Sequence, residues 1–411
     1  MSRHRLLPVL AALALVIGAC GGDGDGDRRD TRTPAAQTTP LVQVPRPMEP
    51  RRTLGEPEGR LRLVAFPGYV EDGSTDRGVD WVSDFEQRTG CSVQADYADT
   101  SDELVRMIRS GRYDGASVSG DATLRLIAGG NVEPINTSLL RHYRDVVPGL
   151  KGLPHNVAGE DTFGVPQGRG ANVLMWNERA VDPAPASWEV VWDERSPYRG
   201  KVIAYQSPIY IADAALYLKA TRPELEIASP YALDDEQLAA AIELLEGQRK
   251  ILAGYWADYT EAERAFNSRD AVVGVSWQAI ANLVNRGDRV KVATTLPKEG
   301  ATGWSDSWML AANARHPNCM YLWMDHVLSP EVNARIAEWF GQAPSNPRAC
   351  EVTEDPEHCR VHHATDQGYW DRVAYWTTPV TSCGDERGAI CNDYDDWAAA
   401  WRGVVAKRPG R

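Results

Sequence analysis

The chain has 411 residues, of which 43% are hydrophobic and 25% charged, and its formal net charge is −13. Without its N-terminal segments the chain is still long enough for two domains of ordinary size. The negative charge argues against a nucleic-acid partner and suits a cationic solute.

The first residues have the order of a secretory signal peptide. A basic start is followed by the apolar run 6–17 and by small residues before Cys20. This run is too short and wrongly flanked for a membrane span. Its ending resembles the bacterial lipobox, so we predict that residues 1–19 are removed and that Cys20 carries a lipid anchor. The alternative is an ordinary signal peptide in which Cys20 is incidental.

The next segment, residues 20–58, has the composition of a linker. It is rich in Gly, Asp, Arg, Thr and Pro and has almost no apolar periodicity. Such a segment cannot bury a hydrophobic core. We therefore predict a lipidated, disordered tether that places the folded part outside the cytoplasmic membrane, facing the periplasm or the cell exterior.

From residue 59 onward, strand and helix patterns alternate along the chain. Short apolar or alternating runs predict strands at 61–66, 91–97, 201–204, 271–277 and 290–294. Amphipathic patterns predict helices at 81–88, 101–110, 210–220, 235–248 and 278–285. Ser101 and Asp102 are candidate caps of the second helix. The alternation predicts an α/β fold with parallel sheets covered by helices.

In open α/β sheets, ligands bind in the loops that follow the strands. In this chain those loops carry aromatic and polar side chains that form no coherent catalytic set. The residues in question are Tyr69, Ser119, Asp121, Arg169, Gln206, Ser207, Trp277, Trp304 and Asp306.

Six cysteines remain when Cys20 is set aside from the seven in the chain: Cys91, Cys319, Cys350, Cys359, Cys383 and Cys391. An even number in an exported chain predicts disulfides, with several pairings open. If each of the last four cysteines pairs with its near neighbour, Cys350 bonds to Cys359 and Cys383 to Cys391, which gives two short loops. Cys91 then remains to pair with Cys319. A zinc site near His362 and His363 is the alternative, but no CxxC spacing supports it, and we predict that these histidines are solvated and bind no metal.

Two adjacent segments carry a resemblance to a known family. Residues 296–300, Leu-Pro-Lys-Glu-Gly, and 303–307, Gly-Trp-Ser-Asp-Ser, are similar to a segment of the bacterial spermidine/putrescine-binding proteins of polyamine ABC importers. The resemblance extends over nearly all of 61–346 and includes Val-Ser-Trp at 275–277 and Ala-Pro-Ser-Asn at 343–346.

The resemblance implies a two-lobed, type II periplasmic-binding-protein-like fold with the ligand in the cleft between the lobes. Lobe 1 would comprise 59–166 and about 307–345, and lobe 2 would comprise 167–306. At and beyond the end of the resemblance, we predict that residues 346–411 form a disulfide-containing C-terminal extension packed on the lobes. The chain would cross between the lobes more than once, which would bring Cys91 and Cys319 into one lobe.

The resemblance also implies a set of ligand contacts. The family places aromatic residues on both walls of the cleft, together with a serine and a carboxylate that binds an amino group. The matching positions are Phe66 and Tyr69 on one wall, Trp277 and Trp304 on the other, Ser119 and Asp306. A cation gains energy from aromatic faces and from a charge-assisted hydrogen bond to a carboxylate.

Several positions depart from the family. Residues 206–210 replace an acidic pair, and other changes fall on aromatic cleft positions. We retain the departing positions among the candidate ligand contacts: Ser207, Tyr210, Asp121, Arg169 and Gln342. A buried Arg169 would need a carboxylate, either Asp121 or one on the solute.

The sequence thus predicts a monomeric substrate-binding lipoprotein that delivers a small solute to the permease subunits of an ABC importer, without a cofactor and without catalysis. The solute would be a polyamine-like cation or a related zwitterion. One alternative is a receptor for an opine or an amino-acid derivative with a carboxylate. The alternative from another class is an exported hydrolase that uses Asp121 and Asp306 as a general acid/base pair.

Overall fold

The structure is a computed structural model that describes residues 41–45 and 48–406. The predicted signal peptide, Cys20 and the first part of the predicted tether lie outside these residues. Within the described ranges, no helix combines the length and the apolar character that crossing a membrane requires.

The described residues form sixteen strands and thirteen α-helices. The strands are β1 (Arg60–Ala65), β2 (Ser92–Tyr97), β3 (Gly115–Val118), β4 (Val132–Glu133), β5 (Val157–Ala158), β6 (Asp161–Thr162), β7 (Val165–Pro166), β8 (Gly168–Asn177), β9 (Val202–Tyr205), β10 (Leu252–Trp256), β11 (Val273–Trp277), β12 (Val292–Thr295), β13 (Ala301–Trp304), β14 (Ser307–Ala311), β15 (Ala343–Pro344) and β16 (Val373–Tyr375). The helices are α1 (Val82–Thr89), α2 (Ser101–Arg109), α3 (Gly120–Ala128), α4 (Glu189–Trp192), α5 (Ile211–Thr221), α6 (Asp235–Gln248), α7 (Tyr259–Asn267), α8 (Gln278–Arg286), α9 (Pro317–Val327), α10 (Pro330–Phe340), α11 (His358–Val361), α12 (Gln367–Trp370) and α13 (Tyr394–Ala406).

Local capping chemistry explains where the helices begin. Helix α6 has the predicted bounds because Asp234 and Gln237 form a reciprocal capping box at its start. For α2 the predicted caps were wrong. Thr100 caps this helix by accepting a hydrogen bond of 3.2 Å from the backbone N–H of Glu103.

The first sheet has the strand order β2-β1-β3-β14-β4, and β7 pairs with β14. Strands β1, β2 and β3 are parallel, whereas β14 runs antiparallel to β3. We call the half of the molecule built on this sheet lobe 1. Its helices cover both faces with two hydrophobic clusters, one around Trp308 and Trp323 and the other around Leu124 and Phe163.

The second sheet has the order β10-β9-β11-β8-β13-β16, and β12 and β15 also pair with β8. The long strand β8 is antiparallel to β11, β12 and β13. We call the half built on this sheet lobe 2. The predicted parallel pairing occurs among β1, β2 and β3 and among β9, β10 and β11. Both sheets are nevertheless mixed, because strands that return from the other lobe enter each sheet in the opposite direction.

The chain crosses between the lobes at short connections. It leaves lobe 1 at Gln167, between β7 and β8, and returns through Ser305 and Asp306, between β13 and β14. The two crossings are joined, since the backbone N–H of Gln167 donates to the carbonyl oxygen of Asp306 at 3.1 Å. Strand β15 crosses again, although its residues were predicted in lobe 1, and the C-terminal β16 adds a further strand to the second sheet.

The last part of the predicted tether packs on lobe 1. Leu54 lies against the cluster around Trp308, and the Glu58 carboxylate accepts hydrogen bonds from the backbone N–H groups of Asn318 and Cys319, at 3.0 and 2.9 Å. For these residues the structure differs from the predicted disorder. The reason is that Glu58 supplies acceptors for the first turn of α9, whose N–H groups have no partner within the helix.

The disulfides are those expected from near-neighbour pairing. Cys91 bonds to Cys319, Cys350 to Cys359 and Cys383 to Cys391. The first bond joins the start of β2 to α9, so that residues 228 apart in sequence are linked within lobe 1. The other two are local loops in the C-terminal part.

Candidate functional site

A row of aromatic rings runs from lobe 1 into lobe 2. Among the described residues six rings are in successive contact, with neighbouring centroids 4.2 to 6.3 Å apart. In order they are Tyr69, Phe340, Trp304, Trp277, Tyr205 and Trp376. The first two rings stack, and so do the last two.

Asp306 lies at the lobe 1 end of this row, on the crossing between β13 and β14. Its side chain is buried, and the Tyr69 hydroxyl donates a hydrogen bond of 2.8 Å to its Oδ2. Its Oδ1 has no hydrogen-bond partner among the described residues. Burial raises the pKa of Asp306 to about 6, and the hydroxyls of Tyr69 and Ser119 oppose that rise. The site therefore has a carboxylate with one oxygen free to accept a hydrogen bond.

Ser119 precedes α3, where a serine usually caps a helix. Its hydroxyl makes no cap and has no hydrogen-bond partner among the described residues. It lies close enough to Asp306 to lower the pKa of that carboxyl, but the two groups do not meet hydrogen-bond geometry. Ser119 thus faces the carboxylate with its hydroxyl unengaged.

Gln342 completes the polar group around Tyr69. Its Oε1 is 3.2 Å from the Tyr69 hydroxyl. That hydroxyl has one proton, for which Gln342 Oε1 and Asp306 Oδ2 are both acceptors. The Gln342 Nε2 has no partner in the described part of the chain. Glycines in β8 make room for these groups. A Cβ at Gly168 would lie 2.4 Å from the Gln342 side chain, and one at Gly170 would lie 2.4 Å from the Trp304 ring.

Asp121, in the first turn of α3, is a second buried carboxyl. It accepts a hydrogen bond of 2.9 Å from the Ser101 hydroxyl, and burial raises its pKa to about 6 while the charge of Arg125 lowers it. Burial is the main cause of the raised pKa of Tyr205, and the negative charges of Asp121 and Asp306 raise it further. Tyr205 therefore lies within electrostatic range of both carboxyls.

Asp213 is a third buried carboxyl, and it was not predicted. Burial raises its pKa to about 7, and its Oδ1 accepts a hydrogen bond of 3.1 Å from the Asn172 amide. The Asn172 Oδ1 in turn accepts one of 2.9 Å from the Trp277 indole N–H. This relay orients the Trp277 ring. A single carboxylate inside the apolar helix α5 was the sequence signal that could have identified Asp213.

Other unpartnered polar atoms lie around the same row. The indole nitrogens of Trp304 and Trp376 and both ring nitrogens of His155 are buried without a hydrogen-bond partner among the described residues. Buried polar groups without partners are costly, so they are rare unless they serve a function. Donors and acceptors that converge beside aromatic faces form a site for a small polar molecule.

Arg169 lies outside this group. The glycines on either side of it face Gln342 and Trp304, and its own side chain points to the other face of β8. There its guanidinium donates to the Tyr375 hydroxyl at 3.1 Å and to the Ala364 carbonyl at 3.0 Å, and it lies 4.2 Å from the Trp370 ring centroid. Asp121, one of the two predicted carboxylate partners of Arg169, does not pair with it, because that carboxyl accepts a hydrogen bond from Ser101 instead.

The remaining predicted residues occupy different positions. Tyr210 packs on Trp192 and accepts a hydrogen bond from Gln248 in the core of lobe 2, away from the aromatic row. Ser207 is half-buried, and its hydroxyl is near Tyr205. Phe66 is half-buried against the hydrophobic clusters of lobe 1.

The histidines of the C-terminal part hold no metal cluster. Their neighbours Cys350 and Cys359 are joined in a disulfide, and the described residues contain no group of three or more His, Cys, Asp or Glu side chains that could bind a metal ion. The prediction that His362 is solvated was wrong. It is buried beside His358, and burial lowers its pKa to about 3.

Two lobes that share several crossings, with an aromatic row and a free carboxylate oxygen between them, define a solute-binding protein. Residues 80–359 match the sequence model of the bacterial extracellular solute-binding proteins, and the chain belongs to this family.

Three similar proteins illustrate the range of the group. The chain is 23% identical over 290 residues, 66% of this chain and 76% of the relative, to the putrescine/agmatine-binding protein of Pseudomonas aeruginosa. The fold is similar to that of the Tp0655 (TpPotD) lipoprotein of Treponema pallidum, with a TM-score of 0.66, 17% identity and coverage of 84% and 99%. It is also similar to the PBP MotA of A. tumefaciens B6 in complex with glucopine, with a TM-score of 0.62, 17% identity and coverage of 84% and 99%.

Proposed function

We propose that this chain is the monomeric substrate-binding lipoprotein of an ABC importer and that it captures a polyamine-like cation in the cleft between its lobes. The observation that carries the proposal is the buried Asp306 carboxylate, whose Oδ1 is unpartnered beside the free Ser119 hydroxyl and the aromatic row. No salt bridge to Asp306 occurs among the described residues, and an ammonium group would supply the missing charge.

The energetics of such a site favour an amine with an apolar body. A cation against an aromatic face gains about 0.5–2 kcal/mol, and the methylene chain of a polyamine would be covered by the same rings. A charge-assisted hydrogen bond from the ammonium to Asp306 adds direction. Because the site takes groups from both lobes, a bound cation favours the closed arrangement, which the permease subunits then recognise.

Thermal unfolding with a set of amines tests this proposal. Putrescine or spermidine at 100 times its dissociation constant should stabilise the protein by about 2.7 kcal/mol and raise its melting temperature. Butane-1,4-diol, which has the length of putrescine without its charge, is the matched control and should have no effect. Absence of any shift across polyamines and amino-acid derivatives would contradict the proposal, and turnover of a bound amine would favour an enzyme.

A second candidate is a zwitterionic solute such as an opine or an amino-acid derivative. Trp277, Trp304 and Arg169 share the lining of one small pocket of about 20 Å³, which sets a cation beside the aromatic row where a ligand carboxylate could meet it. Comparing putrescine with 4-aminobutyrate separates the candidates, since the two differ only at one end. Tighter binding of 4-aminobutyrate, lost selectively in Arg169→Lys, would favour the zwitterion.

The anchor belongs to the same proposal. Cys20 would hold the protein on the cell membrane, where it faces the periplasm or the exterior. Cells fed labelled palmitate should incorporate the label into the wild-type protein and not into Cys20→Ala. Equal labelling of the two forms would contradict lipidation at Cys20.

A further inference from the structure

Residues Val373–Asn392, here called the strap, follow the part of the chain that matches the family. Both ends of the strap are attached to lobe 2. Its start is β16, which lies parallel to β13. Near its end, the Arg387 guanidinium donates to the Ala232 carbonyl at 3.1 Å, and the Asn392 N–H donates to the Leu233 carbonyl at 2.9 Å.

The middle of the strap contacts lobe 1 at the start of α3. The Thr378 hydroxyl donates to the Gly120 carbonyl at 3.1 Å and accepts from the Leu124 N–H at 3.3 Å. The Trp376 carbonyl oxygen presses on the same turn, since a Cβ at Gly120 would lie 1.9 Å from it. Only glycine fits there. Val380 adds an apolar contact with the lobe 1 cluster around Leu124.

Trp376 places its indole in the aromatic row. Its ring stacks on Tyr205 with centroids 5.8 Å apart and planes 8° apart, and its backbone N–H donates to the Gly303 carbonyl, next to Trp304. The side chain is 6% exposed, and its Nε1 is buried without a partner in the described part of the chain. Its neighbour Tyr205 is the residue whose pKa is raised by the charges of both Asp121 and Asp306, in addition to burial.

We propose that Trp376 is a solute-contacting residue supplied by the strap and that Thr378 latches the strap onto α3 when the lobes are closed. The inference rests on the proposed function for the solute contact, whereas the latch can be tested without any solute. A strap fixed to lobe 2 at both ends must give up its bonds to Gly120 and Leu124 if lobe 1 moves away. The latch therefore favours the closed arrangement.

The Cys383–Cys391 bond closes the outer part of the strap. The Cys391 N–H also donates to the Thr381 carbonyl at 3.1 Å, so that the chain turns back to lobe 2 directly after its contact with lobe 1. By restricting this loop, the bond limits the positions that Trp376 and Thr378 can adopt.

Hydrogen–deuterium exchange of the solute-free protein tests the latch. In Thr378→Val the Leu124 amide loses its hydroxyl partner, and exchange over the first turns of α3 should become faster. Thr378→Ser keeps the hydroxyl and should restore protection. Thr381→Val changes an exposed threonine of the same strap and is the matched control. Unchanged exchange in folded Thr378→Val would overturn the latch.

Calorimetric titration with putrescine tests the contact of Trp376. We expect Trp376→Ala to weaken binding roughly tenfold and Trp376→Phe, which keeps an aromatic face, to retain most of the affinity. Trp339→Ala removes an exposed tryptophan and is the control. Wild-type affinity in Trp376→Ala would overturn the contact, and tighter binding would show that Trp376 competes with the solute.

The two failures can be told apart. If the wild type binds neither amines nor amino-acid derivatives, both the proposed function and the solute contact of Trp376 are wrong. Hydrogen–deuterium exchange at α3 still tests the latch in that case. If the wild type binds putrescine and the Trp376 variants do so equally well, the proposed function stands and only the contact falls.

Discussion

Asp306 illustrates what the sequence could predict at the scale of single residues. Together with Tyr69, Trp277 and Trp304 it was predicted from the family resemblance, and the structure brings all four to one aromatic row with the carboxyl at its end. The sequence did not identify three other rings of the row. Tyr205 lies at the end of a strand, and Phe340 and Trp376 lie in segments where no motif singles them out. Their proximity depends on contacts between distant parts of the chain.

Removing the charge of Asp306 should remove most of the preference for cations. In Asp306→Asn an ammonium would lose its charge-assisted partner, and we expect putrescine binding to weaken by about 1.5–3 kcal/mol. Isothermal titration of both proteins measures this difference. Asp84→Asn, on the exposed face of α1, is the control for lost negative charge. Equal affinities for Asp306→Asn and the wild type would exclude Asp306 as the anchor.

The raised pKa values of Asp306 and Asp121, both about 6, predict opposite pH effects on stability and on binding. Because the folded protein holds these protons more tightly than the unfolded chain, their contribution to stability is present at low pH. This contribution to the free energy of unfolding falls as the pH rises through about 6. Each carboxyl accounts for a loss of up to about 1.4 kcal/mol per pH unit.

A cation prefers the ionised carboxylate, so affinity should increase over the same range. Urea unfolding and putrescine titration between pH 4.5 and 8 check both trends. In Asp306→Asn the binding profile should be flatter. A wild-type affinity independent of pH below 6 would contradict this assignment.

At the scale of elements, periodicity predicted bounds well and strand direction poorly. Helix α6 begins and ends where the pattern placed it, and a capping box between Asp234 and Gln237, which are close in sequence, fixes its start. The antiparallel entry of β14 into the first sheet could not be predicted from alternation, which carries no information about direction. Alternation also could not predict why β8 contains glycines. They leave space for the side chains of Trp304 and Gln342, which only the tertiary structure shows.

Strand β8 therefore offers a sharp test of packing under the site. In Gly170→Ala the new Cβ would meet the Trp304 ring at 2.4 Å. We expect a loss of stability of about 1–3 kcal/mol, together with weaker solute binding as Trp304 shifts. Gly254→Ala in β10, where nothing lies within 4 Å of the added Cβ, is the matched control. Denaturant unfolding gives the comparison, and equal stability of the two variants would show that the ring moves freely.

At the scale of the whole molecule, the order of the cysteines favoured the pairing that the structure has, while other pairings stayed open. Two short loops near the C-terminus left one long-range pair, and that pair requires the start of β2 and α9 to be neighbours, as they are in lobe 1. The route of the strap could not be predicted, because nothing in its composition shows that its middle visits the other lobe. Its contacts at Gly120 and Tyr205 are properties of the tertiary structure alone.

The long-range bond should contribute more to stability than the local ones. Replacing Cys91 and Cys319 by serine frees a loop defined by a separation of 228 residues, whereas the Cys350–Cys359 pair spans 9. The chain-entropy relation predicts a cost of about 5 kcal/mol for the first pair and about 3 kcal/mol for the second. Urea denaturation of the two double variants measures the order, and the reverse order would indicate that strain, not chain entropy, dominates.

The position of Asp306 has a mechanical consequence. It lies on one of the connections between the lobes, so the cation proposed to bind it would act directly where the two lobes join. Under the proposed function, recognition of the solute's charge and the closing of the lobes would therefore begin at the same residue.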